Sequence, residues 1–174
     1  MNILNRIIRR LCAECTWVKL GLYTRFVYNK RKSLLEYNIS NLGGQCAEFC
    51  DLAVVTFNNS EVVEYQIRTL KKFFKYPFRY TVFDNSTKEE RSAEILAICK
   101  KHSVGYVKLP KQEFLPKGYG SYSHGIACNY LFNKYIKHGG AKYFMLLDHD
   151  IFLIDDFDIS KQFDSQFFYE GSNG

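Results

Sequence analysis

Tyr143-Phe144-Met145-Leu146-Leu147-Asp148-His149-Asp150-Ile151-Phe152 sets five apolar or aromatic residues directly before two carboxylates one residue apart. A continuous apolar run with a polar end predicts a strand buried on both faces, ending where its backbone leaves the sheet. Ionised carboxylates are costly to bury, so Asp148 and Asp150 belong at a rim or beside a cation. Residues i and i+2 of a strand share a face. Both acids can therefore converge on one hard divalent ion, with phosphate oxygens completing its shell. His149 then points to the opposite face and is no ligand. A bare Asp-x-Asp reads as a solvated loop; the apolar strand before it and the pattern upstream reverse that preference.

Upstream, strand and helix alternate. Residues 51–57 form a short apolar strand, and Asn58-Asn59-Ser60 is turn and cap chemistry with Ser60 the predicted N-cap. From Glu61, Val62, Val63, Ile67, Leu70, Phe73 and Phe74 recur at helical spacing until Pro77. Residues 78–83 predict a second strand, Asp84-Asn85-Ser86 a second turn, and residues 89–102 a second helix with Ile95, Leu96, Ile98 and Cys99 inward. Residues 104–109 predict a third strand closed by Pro110. Residues 121–138 predict a third helix stopped by Gly139-Gly140. Four alternations predict an α/β fold, a mostly parallel sheet with helices on both faces. Ligands of such sheets bind beyond the carboxyl ends of the strands. That edge collects Thr56, Phe57 and Asn58, then Asp84 and Asn85, then Asp148 and Asp150.

A chain of 174 residues, 47% apolar and 24% charged, suits one globular domain of ordinary size. Its aromatic share of 17% predicts a core of large rings or a ring-lined cleft. The net charge of +6 is concentrated at one end: Arg6, Arg9, Arg10, Lys19, Arg25, Lys30, Arg31 and Lys32 face only Glu14 within residues 1–32, so the rest is close to neutral. A nucleic-acid-binding domain would be basic over its folded surface, so no nucleic acid is expected as a partner. The basic segment is amphipathic, with Ile3, Ile7, Ile8, Leu11, Cys15, Val18 and Leu22 at helical spacing. Charges interrupt every window long enough to span a bilayer, and no signal-peptide pattern is clear. Either the arm lies on an anionic inner leaflet through residues 1–32, or it docks on its own domain or a partner. The predicted organisation is a basic helical arm and linker over residues 1–45 and a domain over residues 46–174. The expected location is cytoplasmic, peripheral at the inner membrane face if the arm binds lipid.

The six cysteines, at 12, 15, 46, 50, 99 and 128, lack knuckle glycines and turns, and read as reduced thiols rather than a zinc site. No G-x-G-x-x-G follows the first strand, and neither a P-loop lysine nor a serine elbow is present, which disfavours a dinucleotide dehydrogenase, a P-loop kinase and a serine hydrolase.

Four pieces in order resemble a GT-A-fold glycosyltransferase close to the family 2 type, a nucleotide-diphospho-sugar transferase with a Rossmann-like sheet. Val54-Val55-Thr56-Phe57-Asn58-Asn59 resembles the first strand and its nucleotide-contacting end. Val82-Phe83-Asp84-Asn85-Ser86 resembles the second strand, whose acid commonly contacts the base. Gly125-Ile126-Ala127-Cys128-Asn129 resembles the helix before the metal strand, and Leu147-Asp148-His149-Asp150 the D-x-D motif. Together they cover about residues 51–158. The resemblance implies a metal site, Mn2+ or Mg2+, on Asp150 with Asp148, and a donor site of Thr56, Phe57, Asn58, Asp84, Asn85, His124 and Asp148. Asp148 would serve the ribose hydroxyls or a metal-bound water. His124 either donates to phosphate or caps and packs, and Asn129 reads as structural.

The function so implied is transfer of a sugar from a nucleotide-diphosphate donor to a glycan or lipid-linked acceptor in polysaccharide or cell-surface glycan synthesis. Only 24 residues follow Asp150, whereas the family continues well beyond its D-x-D strand. The chain therefore reads as the donor-binding half of a larger enzyme, with no residue identifiable as the catalytic base. The rival expectation is a catalytically silent nucleotide-sugar-binding module. A nucleotidyltransferase would want a Gly-rich basic loop where Asn58-Asn59-Ser60 stands.

Overall fold

The computed structural model describes residues 18–39, 47–112 and 120–162. The first seventeen residues, with Cys12 and Cys15, and also Cys46, lie outside the described residues.

The chain enters through a helix over residues 18–26 (α1) and a 3-10 turn at Tyr28–Lys30. The strands are β1 Leu35–Tyr37, β2 Ala47–Thr56, β3 Phe78–Asp84, β4 Gly105–Lys108 and β5 Ala141–Leu147. They form one sheet in the order β1-β4-β3-β2-β5, parallel except for β1, which runs antiparallel to β4. Between the strands lie α2 Ser60–Phe73, α3 Glu89–His102 and α4 Gly120–Leu131. The fold is thus α/β, with a mostly parallel sheet and helices on both faces.

The period-two alternation of β2 divides the core. Cys50, Leu52 and Val54 pack with Val63, Ile67 and Leu70 of α2 and Ile95 and Cys99 of α3. Ala53 and Val55 face the other way, onto Ile126, Ala127, Tyr130 and Leu131 of α4 and Leu20 of α1. In the middle of β2 and at the start of β3, Asp51 and Arg79 stand opposite each other and pair through two bonds of 2.7 and 2.8 Å. Gly105 stands opposite Thr81, where a Cβ would come within 2.7 Å of the threonine hydroxyl oxygen. That close approach is why β4 opens on glycine.

Several boundaries differ from the sequence expectation. Asn59, not Ser60, is the N-cap of α2, its side chain accepting from the Val62 amide. The third helix does not continue uniformly to residue 138. It widens to a π turn at Phe132–Ile136, closed by Lys137 N–H donating to the Phe132 carbonyl.

β5 is not buried on both faces. Among the described residues it pairs only with β2, and Leu146 is 44% exposed. It also stops at Leu147, so strand alternation does not govern Asp148 and Asp150, which sit in and beside a turn. β1 was not foreseen: three residues carry too little alternation to register. Elements before residue 45 pack on the sheet. β1 completes the sheet, and the fully buried Tyr28 donates to the Pro110 carbonyl and packs edge-on against Tyr130.

Candidate functional site

The carboxyl ends of β2, β3 and β4 are laced together. Asn85 N–H donates to the Thr56 carbonyl at 2.9 Å, and Leu109 N–H to the Asp84 carbonyl at 3.0 Å. Asn58 adopts the left-handed conformation at φ 52°, which asparagine tolerates. Its amide N–H reaches Ser86 Oγ, and its side-chain oxygen accepts from the Thr87 and Lys88 amides. Asn58 is therefore a clamp between two strand ends, with its acceptor already used.

Asp84 is fully buried. Its Oδ1 accepts from Ser86 N–H at 2.8 Å; its Oδ2 accepts from Tyr106 Oη at 2.8 Å and Lys108 Nζ at 3.1 Å. Burial alone would raise its pKa, but hydrogen bonds from Ser86 and Ser92 and the Lys108 charge outweigh burial and hold it below the ordinary carboxylate value. Burial, reinforced by the Asp84 charge, drives the Tyr106 hydroxyl well up, so that it stays a donor. Lys108 Nζ also reaches the Ser86 carbonyl and Ser92 Oγ, completing a closed buried network.

Beside this network lies a cavity of about 590 Å³ at the carboxyl edge, with Phe57, Asn85, Lys108, Gln112 and Ser123 in its wall. Asp84 and Thr56 are behind that wall rather than part of it. Thr56 is fully buried, and its hydroxyl oxygen has no partner among the described residues. Phe57 is more than half exposed and offers a ring face. Asn85 Nδ2 donates to Ser123 Oγ at 2.9 Å, and Gln112 Nε2 donates to the Ser123 carbonyl at 2.9 Å. Gln112 was not anticipated; it lies in a loop with no periodicity to reveal it.

The first turns of α4 connect this cavity to the acidic turn. Ser123 meets Asn85, and the next residue, His124, stands 3.8 Å from Asp148 Oδ1. His124 Nε2 also lies 3.3 Å from Cys128 Sγ. Burial, then the Asp148 charge, pushes that thiol up to about 11, so the pair does not form a thiolate nucleophile.

Asp148, His149 and Asp150 are all exposed. Among the described residues Asp150 has no ion pair, and Asp148 has only the long contact to His124. No group of three or more His, Cys, Asp or Glu converges among the described residues. Two exposed carboxylates, one of them with only a long histidine contact, fit a cation that would draw its remaining ligands from substrate phosphate and water.

The turn is held from beneath by a residue the sequence did not expose. Gln66, on the buried face of α2, donates from Nε2 to the carbonyls of Asp148 and Ile151, each at 2.8 Å, while its Oε1 accepts from the buried Tyr80 hydroxyl. A polar residue at a core position of a helical stripe was the available signal. Gln66→Leu should cost about 2–3 kcal/mol, since two buried carbonyls and a buried hydroxyl lose their partners. If the acidic turn holds a cation, as proposed below, the same substitution should weaken Mn2+ binding by about tenfold, as loss of an outer-sphere support does. Urea unfolding and Mn2+ titration of the folded variant read the two effects separately.

Compared with known proteins, the chain matches no family model and no curated sequence. Function therefore rests on the site itself.

Proposed function

We propose that this chain is the donor-binding part of a metal-dependent glycosyltransferase of the GT-A type. One observation carries the reading: the N-terminal turns of α4 bring a nucleoside-sized cavity and the exposed acidic turn of Asp148 and Asp150 to the same sheet edge, through Asn85–Ser123 on one side and His124–Asp148 on the other. Ligand sites of parallel sheets form at that edge.

In this reading Phe57 stacks on the base, and Asn85, Gln112 and Ser123 present polar groups to base and ribose. The diphosphate lies between the cavity and the turn, where α4 points its N-terminal end and His124 can donate. Asp148 and Asp150 hold the divalent ion, which supplies charge neutralisation on the departing diphosphate. Asp84 keeps a supporting role: it fixes the ends of β3 and β4 behind the cavity wall. The binding-only alternative keeps the same site, since Asp84, buried and fully engaged behind the cavity wall, cannot act as a base.

Thermal unfolding with Mn2+ and a panel of nucleoside diphosphates and their sugars tests the reading. A ligand at about a hundred times its Kd stabilises by about 2.7 kcal/mol, a shift of several degrees. The expected shift requires metal and one nucleotide together. No shift from a cooperatively unfolding sample would overturn the donor site. Binding without sugar transfer would select the silent module.

A further inference from the structure

We propose that the outward face of α1 docks on an anionic membrane surface. Leu20 is 7% exposed and packs under α4, and this contact orients the helix. Val18, Leu22 and Phe26, spaced by four residues, fall on the opposite side and are 62%, 53% and 51% exposed. At 100° per residue they form one stripe, with Lys19 on one flank and Arg25 on the other. The Arg25 guanidinium lies 5.4 Å from the Phe26 ring centre, so apolar and cationic groups share one surface. An apolar stripe bordered by cations is the pattern of a helix lying in a headgroup layer. α1 therefore has two apolar sides, one used by its own domain and one left over.

Charge selects the occupant. Within residues 1–32 eight cations face one acid, while the rest of the chain is near neutral. A second copy of the same stripe would set Lys19 and Arg25 against their own kind, whereas an anionic bilayer attracts each of them. The placement also has a functional sense. Just after α1, Tyr28 bonds the Pro110 carbonyl and Arg31 bonds the Lys111 carbonyl, and Pro110 and Lys111 border the cavity at the carboxyl edge. The docking helix is thus tied through short contacts to the rim of the cavity. The docking surface itself does not depend on the donor reading.

The test is sedimentation of the full chain with phosphatidylglycerol–phosphatidylcholine vesicles and with pure phosphatidylcholine vesicles, without metal or nucleotide. Binding is expected only to the anionic vesicles, and should weaken with added salt. The double variant Leu22→Glu, Phe26→Glu, at exposed positions that leave the core intact, should bind at least about tenfold more weakly. Lys19→Gln and Arg25→Gln should each cost about fivefold at low salt. Circular dichroism melts confirm that the variants remain folded. Absence of anionic-vesicle binding, equal binding to phosphatidylcholine, or unchanged binding by the Leu22/Phe26 variant would overturn the proposal. A concentration-dependent dimer that the same variant abolishes would assign the face to a second copy instead. Because no nucleotide is present, the outcome is independent of the donor-site experiment.

Discussion

Lys108→Met should destabilise the protein by about 3–5 kcal/mol, the cost of removing one partner from a buried ion pair. Lys108 is the cation facing Asp84, a carboxylate with no solvent contact. Tyr106 and the Ser86 amide remain as donors in the variant, but neither carries charge. The pH dependence identifies the cause. In the unaltered protein the folded-state pKa of Asp84 is depressed. Its stabilisation is thus present above the unfolded carboxylate value of about 3.9 and is lost as pH falls through the lower folded value. In the variant the Lys108 charge is gone while the Ser86 and Ser92 hydrogen bonds remain, so the folded pKa moves up and the carboxylate adds less stability at neutral pH. The gap between the two proteins should therefore narrow as pH falls through the carboxylate range, and Asp84→Asn placed in the Lys108→Met background should recover part of the loss. Urea unfolding at several pH values measures both. A gap independent of pH would mean that Lys108 acts through packing alone.

On the proposed donor-site reading, Asp150→Asn should leave the melting temperature almost unchanged and weaken metal-dependent nucleotide binding by at least about a hundredfold. Asp150 is exposed and has no ion pair among the described residues, so its replacement touches no packing and should alter stability by no more than about 0.5 kcal/mol. Loss of a direct carboxylate ligand should exceed the tenfold to hundredfold effects of outer-sphere changes. Calorimetric titration of a nucleoside diphosphate with and without Mn2+ reads the effect. Unchanged metal-dependent affinity would remove Asp150 from the metal site. Comparison with Gln66→Leu separates the two roles, because that substitution lowers stability and metal affinity together whereas Asp150→Asn lowers affinity alone.

Long periodic elements were readable without coordinates. α3 spans the residues expected of it, and the alternation of strand and helix foretold a sheet packed on two faces. The strand register also brings Thr56 beside Asp84, as a parallel sheet requires. What was hidden depends on neighbours distant in sequence. Asp84-Asn85-Ser86 reads as one polar turn, yet its first residue is locked behind the cavity while its second helps to form the wall, and Tyr106 and Lys108 decide which is which. Gln66 reads as an ordinary helical glutamine until Tyr80 and the acidic turn are placed around it. Asp148 and Asp150 were expected on one face of a strand, but the strand ends first, and the hydrogen bonds of Gln66 rather than the pleat shape their backbone.

The strand order also dictates a sequence of assembly. Val54 finds Val82 soon after both are made, and Val82 meets Tyr106 with one helix intervening, so β2, β3 and β4 can condense as growing neighbours. The other side of Val54 must wait for Leu147. Closing that long loop comes late, since distant pairings bear the larger entropy of closure. Until it closes, β2 presents a free apolar edge open to pairing with other chains. As the protein emerges from the ribosome, its cavity wall can take shape while its acidic turn is still unmade. The seam between them, β2 against β5, is then the last part of the functional edge to form.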